Sequence, residues 1–441
     1  MSMRLVICLM LLLPAGAANA NGNFSVTCQY SHTLPDDAIL YPGQPGKAMV
    51  HDFFGNTSAD AYSTYDSLSQ NKLMTCDAAA DRSSYWAPQL KRASGVGVPG
   101  YQKTYYKNDQ PVVPVQTIPA GLEMLAGDHH SSAPKPQINY LCRGGAYTQI
   151  APTSCPVVTD NTGTYAQFNI SVHFPDCWDG RTLVPNIPSK IMNMAYRQAD
   201  GTCPAGFPVK IPELQLNVAY DLGQDPDLSN AQLSMDPILV DGVWVPQWGS
   251  LYTAHADFIN AWKADSLQYA IDHCSNANTS CISSSIPTYY SKASADVWVD
   301  SSGATHPSGP TMVSDAGSTV LIKLPTPENL TDYPYSTSSL QTLAQNMTDA
   351  NAVMLDLYAA STNWDDLSNL PTASACNTKQ RIGGIYLDNA LQLRTNDITQ
   401  YVASQVAAGA PQIGVCIRNA TGKTIQFSSR DGAGTPALFI K

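Results

Sequence analysis

Glutamate is nearly missing from this chain: Glu123, Glu213 and Glu328 stand beside 32 Asp in 441 residues. Charged residues make up only 13%, against the roughly 25% of an ordinary soluble domain. So little Glu and Lys cannot supply the i,i+4 ion pairs of long solvated helices or coiled coils. The net charge is −11 and no basic run occurs, which excludes nucleic acid and anionic membrane as expected partners. Past the first twenty residues no segment is apolar enough to span a bilayer. C-x-x-C spacing is missing, which argues against a zinc ribbon or a thioredoxin-like redox site. HExxH, the Walker A loop and the G-x-S-x-G elbow are missing too, which removes the common zinc peptidases, NTPases and α/β-hydrolases. A literal G-x-G-x-x-G at Gly95, Gly97 and Gly100 holds Pro99 inside it and reads as a turn.

What is present is turn and strand chemistry: 29 Gly, 31 Pro and 22 Tyr, with 44% apolar residues, ample for a packed core. Met1 to Ala20 has a lone early Arg4, an apolar run from Leu5 to Pro14 and an Ala18-Asn19-Ala20 ending, the pattern of a cleaved secretory signal. A secreted, extracellular or cell-surface chain is therefore expected. Loss of Cys8 with the signal leaves ten cysteines, enough for five disulfides. Seven N-x-S/T sequons occur, at Asn23, Asn56, Asn169, Asn278, Asn329, Asn346 and Asn419.

The clearest seam is the Ser-rich stretch around 282–295. Eight cysteines (Cys28, Cys76, Cys142, Cys155, Cys177, Cys203, Cys274, Cys281) precede it and Cys376 and Cys416 follow it, so each side can pair internally. Expected segments are a signal peptide over 1–20, a first domain over 21–281, a linker over 282–295 and a second domain over 296–441. In the first domain Phe168, Ile170 and Val172 alternate with polar residues, as do Leu214, Leu216, Val218 and Tyr220, which predicts half-buried strands. Ser266 is the expected cap of a helix carrying Leu267, Ala270, Ile271 and Cys274 on one face. In the second domain seven spaced strands are expected: Val297 to Val299, Thr319 to Lys323, Val353 to Tyr358, Gly384 to Leu387, Gln412 to Arg418, Thr424 to Phe427 and Ala437 to Ile440. The fold class is mainly β: a disulfide-stapled β-rich domain followed by a β-sandwich of jelly-roll type.

Four stretches hold five of the eight histidines close to an aspartate, three of them with an aromatic as well: His51-Asp52-Phe53-Phe54, Asp128-His129-His130, His173 to Asp179, and His255-Ala256-Asp257-Phe258. Imidazole transfers protons near neutral pH, and a neighbouring carboxylate orients it or shares the work. The duller reading is that these histidines bond backbone carbonyls and pin loops. Carbohydrate chemistry needs paired carboxylates and aromatic platforms. Candidate catalytic residues are accordingly His51, Asp52, His173, Asp176, His255 and Asp257. Candidate substrate-binding residues are Tyr85, Trp86, Tyr105, Tyr106 and Asn193, the last to neutralise a uronate carboxyl in a lyase. Trp178 and Trp262 read as core. Asp225, Asp227 and Asp236 form an acidic stretch whose spacing matches no Ca²⁺ loop, so neither a metal nor another cofactor is expected.

Motifs in the first domain run in the order MVHDFFGN (49–56), STYDSL (63–68), TCDAAADRSSYWAPQL (75–90), PAGLEMLAGD (119–128), HFPDCWDG (173–180), NMAY (193–196), CPAGFPVKIPEL (203–214) and HADFINAW (255–262). On these the domain resembles the secreted family known only as a domain of unknown function, DUF1996. The resemblance implies histidines at the positions of Asn193 and Phe207, which this chain lacks. The second domain, on AVMLDLY (352–358), Trp364, DITQYV (397–402) and FSSRD (427–431), is similar to the DNRLRE-type carbohydrate-binding module. That likeness implies a jelly roll that binds polysaccharide. Three functions follow as expectations: a monomeric secreted hydrolase or lyase held on its polysaccharide by the second domain, a non-enzymatic glycan-binding surface or matrix protein, and a histidine-based metal-binding protein.

Overall fold

The computed structural model describes residues 22–109, 114–327 and 337–441. The expected signal segment, Cys8, Glu328 and the sequon at Asn329 lie outside them. Strand-prone segments of the first domain pair into one eleven-stranded sheet. Its order is Glu123–Gly127, His255–Ile259, Ser84–Pro88, His51–Gly55, Gly22–Leu34, Tyr101–Asn108, Glu213–Gly223, Gly163–His173 and Ile138–Cys142. Val158–Asp160 adds a hairpin to the Gly163 strand, and Ser280–Ile282 lies parallel to the first strand. Strands 173 residues apart in sequence become neighbours, as when Phe258 pairs with Tyr85.

Side chains alternate across a strand, so each face takes every second residue. One face carries Phe54, Tyr85, Ala87, Ala256 and Phe258 into the main core with Phe24, Tyr106, Leu214 and Phe168. The other carries Phe53, Trp86 and Ile259 under a smaller cap built from Ile39, Ala59 and Leu68. By the same count of two, His51 follows Phe53, and His255 and Asp257 follow Ile259, onto this second face.

Several local expectations change. The strands through Phe168 and Leu214 are covered on both faces: Ser171, Asn169, Gln215 and Asn217 are buried. Their polar groups bond one another and the overlying loop, Gln215 to Ser171 at 2.9 Å and Tyr147 to Asn217 at 3.0 Å. Ser266 lies inside the helix Ala264–Ala270 rather than at its cap, which is Lys263. The G-x-G-x-x-G stretch forms the strand Gly95–Gly97 of a hairpin with Leu90–Arg92 and the turn after it. Asn56, Asn169, Asn346 and Asn419 are buried and donate through Nδ2 to main-chain carbonyls, which removes them as glycan acceptors.

Five disulfides staple the chain: Cys28–Cys76, Cys142–Cys155, Cys177–Cys203, Cys274–Cys281 and Cys376–Cys416. The first four lie in the first domain, the fifth in the second. Two six-stranded sheets make the second domain a β-sandwich. Leu340, Phe427, Leu438 and Ile440 of one sheet meet Ile322, Leu355, Leu357 and Val415 of the other. Gln412–Arg418 and Ala437–Ile440 coincide with the expected strands.

The seam is ordered. Tyr289–Lys292 pairs with Ala437–Ile440, while Ile286 packs into the first core. Tyr269 on the helix Ala264–Ala270 meets Tyr290 and Phe439 at ring distances of 5.0 and 5.5 Å.

Candidate functional site

The second face of the sheet brings three segments together. His51 opens its strand, and His255 and Asp257 lie on the strand Ser84–Pro88 separates from it. His51 Nε2 stands 3.4 Å from His255 Nε2, with the rings crossed at 89°. Asp257 offers a carboxylate oxygen, and these three ligand-type atoms lie within 4.8 Å of one another. All three residues are buried.

Their second nitrogens are committed. His51 Nδ1 donates to the Asp36 carbonyl at 2.9 Å, and His255 Nδ1 donates to the Thr253 carbonyl at 3.0 Å. A carbonyl only accepts, so each Nδ1 carries the hydrogen and each neutral ring turns a bare Nε2 toward the other. Burial pushes both imidazoles down, His51 to about 4 and His255 to about 3, the latter helped by His51 itself. Burial, and then the nearby Asp37, raise the Asp257 carboxyl. Asp37 is itself saturated, accepting from the Ile39 and Leu40 amides at 2.8 and 2.7 Å.

A cleft of about 320 Å³ opens onto this group. His255 and Asp257 form its floor, His129 and Tyr196 its rim, with Leu125 and Met194 among the apolar walls. The His129 ring lies 5.9 Å from His255 and 4.0 Å from His130, so it links the buried pair to solvent. Tyr196 hangs over the cleft with its hydroxyl donating to the His173 carbonyl at 3.0 Å.

The remaining expected residues are elsewhere. Asp52 is one residue on from His51 and so faces the opposite side, where it accepts from Thr33 at 2.6 Å. Burial outweighs that bond and raises its carboxyl to about 7. His173 and Asp176 belong to a separate ionic network. His173 Nδ1 meets Glu213 at 2.7 Å, Arg197 bridges Glu213 and Asp176 at 2.9 Å each, and Lys107 reaches Glu213 at 3.1 Å. His173 Nε2 also has a partner, Asn139 at 3.2 Å.

Tyr85, Trp86 and Tyr106, expected as sugar platforms, are at most 1% exposed. Tyr85 and Tyr106 share a hydroxyl contact of 2.5 Å, Trp262 donates to Tyr106 and Tyr85 donates to Asp81. This is a core network, and it leaves no ring face for a substrate. Tyr105 is half-buried, with Lys103 over its ring at 5.0 Å, and does not line the cleft. Asn193 is buried and spends its amide on the Glu123 and Leu183 carbonyls at 2.9 Å each, so it cannot neutralise a uronate. Asp225 pairs with Arg92, while Asp236 accepts from Tyr41 and Met49, so the acidic stretch does not converge on one ion.

Sequence reasoning missed Tyr196, Asp36 and the ionic partners Glu213 and Arg197. Only His129 carried a signal, the Asp128-His129-His130 run.

The family model for the domain of unknown function DUF1996 matches residues 37–262. That for carbohydrate-binding module family 96 matches residues 287–441. No curated protein matches the chain. Among the described residues no helix is long and apolar enough to cross a membrane.

Proposed function

The chain belongs to the DUF1996 family and carries a carbohydrate-binding module, and from that premise we propose that it is a secreted, monomeric enzyme that cleaves a polysaccharide. The first domain does the chemistry and the module keeps it on the polymer by raising the local substrate concentration. One observation carries the reading: two segments far apart in sequence deliver His129, His255 and Asp257 to one open cleft.

Lyase chemistry fits this cleft better than hydrolysis. Hydrolysis by the usual route needs two carboxyl groups about 5–9.5 Å apart across the scissile bond. Among the described residues lining the cleft, Asp257 is the single carboxylate. In an elimination the accessible imidazole of His129 takes the proton α to a uronate carboxyl, and the same group returns it to the leaving oxygen. Tyr196 supplies the aromatic wall for the sugar ring. A non-enzymatic glycan binder is the competing reading, supported by the module alone.

Incubation of the full chain with a panel of polysaccharides tests the proposal. Unsaturated uronate ends, lost in His129→Gln with the fold intact, are the expected result. New reducing ends without unsaturated products would overturn the lyase assignment. Tight binding with no cleavage of any polymer would overturn the enzyme.

A further inference from the structure

Two imidazole nitrogens without hydrogens, pointed at each other inside a protein, repel unless something positive lies between them. Each Nδ1–H is held by a main-chain carbonyl, Asp36 for one ring and Thr253 for the other, at 2.9 and 3.0 Å. This is the outer-shell arrangement that fixes the tautomer and heading of metal-ligating histidines. Asp257 Oδ2 is buried and has no hydrogen-bond partner among the described residues. An unsatisfied buried oxygen keeps its desolvation cost with no bond to offset it, so the fold gains nothing from it as it stands.

From this geometry we propose that His51 Nε2, His255 Nε2 and the Asp257 carboxylate form a binding site for a divalent transition-metal ion of the zinc class. The spacing fits. Two imidazoles bound at about 2.0–2.1 Å with a tetrahedral angle hold their nitrogens about 3.4 Å apart, and the two Nε2 atoms are 3.4 Å apart. One ligand-type atom from each of His51, His255 and Asp257 lies within 4.8 Å of the other two. Two neutral imidazoles and one carboxylate suit zinc and its first-row neighbours, whereas calcium and magnesium require oxygen cages. Three protein ligands beneath an open cleft leave a coordination position facing the substrate side, the pattern of a catalytic site rather than a closed structural one.

The other metal-type grouping, Cys28, Cys76 and Asp81, is a disulfide and holds no ion. Phe207 and Asn193 do not enter the argument, because the three ligands are complete without them.

The site does not depend on the reaction proposed above. The untagged full chain, stripped with a chelator and dialysed, is titrated with Zn²⁺ by calorimetry and with Co²⁺ by visible absorption. One equivalent per chain, with a Co²⁺ spectrum of low coordination number, is expected. His51→Gln and His255→Gln remove the ring nitrogens while keeping a polar side chain of similar length, and Asp257→Asn keeps the shape. Each should weaken Zn²⁺ at least tenfold to a hundredfold, while His306→Ala in the second domain leaves the titration unchanged. Circular dichroism of the metal-free proteins reports the fold separately. No stoichiometric uptake, or uptake unchanged in folded His51→Gln and His255→Gln, would overturn the site. Metal binding without cleavage refutes the enzyme alone, and cleavage without metal uptake refutes the site alone.

Discussion

Replacing Glu213 by Gln isolates the ionic network beside the cleft. Burial raises the Glu213 carboxyl, but the bond from His173 and the charges of Lys107 and Arg197 prevail and bring it from 4.5 to about 2. Only 10% of the side chain is exposed, so solvent screening takes little from this. A fall of about 2.5 units at roughly 1.36 kcal/mol each makes ionised Glu213 worth about 3 kcal/mol of folding stability, as an order of magnitude. The folded value lies below the unfolded one. That stability is therefore fully present above about pH 4.5 and is lost as the pH falls toward about 2. Urea unfolding followed by tryptophan fluorescence, on wild type and Glu213→Gln, measures it. The variant should be about 3 kcal/mol less stable near pH 6 and nearly equal to wild type near pH 2. A deficit of the same size at both pH values would refute the reasoning, because it would then come from packing rather than ionisation. Cleavage by the variant should be unchanged, since Glu213 does not line the cleft.

Gly127 lies at φ +93, and a Cβ there would meet the Ala254 carbonyl at 2.4 Å and His255 Cα at 2.6 Å. Gly127→Ala should cost about 1–3 kcal/mol and displace His255, seen as a lower Tm together with weakened Zn²⁺ binding; an unperturbed variant would mean that the strand yields freely. Tyr106→Phe removes the hydroxyl shared with Tyr85 and Trp262. It should lower stability by about 1–2 kcal/mol and leave polysaccharide binding intact, whereas lost binding at full stability would restore Tyr106 as a platform. A chain cut within 282–295 should give two pieces that separate in denaturant without reductant, since no disulfide among the described residues spans that stretch. Pieces that separate only after reduction would contradict this pairing.

How much of this was legible in the sequence depends on the range of the physics involved. The second-domain strands Gln412–Arg418 and Ala437–Ile440 carry their own pattern, β-branched and apolar between turn residues. Ser338–Asn346, rich in Ser and Gln, shows no such pattern and is a strand because three neighbours pair with it. The period of two placed His255 and Asp257 on one face. It also separated Asp52 from His51, which proximity along the chain obscured. Tyr85, Trp86 and Tyr106 look like exposed aromatics only until the sheet closes over them, since burial is a property of tertiary packing. Glu213 and Arg197 were invisible because an ion pair between a strand and a loop residue 16 positions away leaves no local trace.

A last consequence separates cost from purpose at the cleft floor. Asp257 shares its face with the apolar Phe53, Trp86 and Ile259. Its Oδ2 lacks a hydrogen-bond partner among the described residues, a cost of about 1–3 kcal/mol to the metal-free fold. Replacing such a group by an apolar one of similar size is often neutral or stabilising, while function is lost. Asp257→Leu should therefore melt at or above the wild-type temperature in chelator-treated samples and take up no Zn²⁺. Zn²⁺ should raise the wild-type Tm by mass action, because the ion binds only the folded chain, and leave the variant unmoved. A variant that unfolds well below metal-free wild type would assign Asp257 a structural role and remove the reason to look for an ion there.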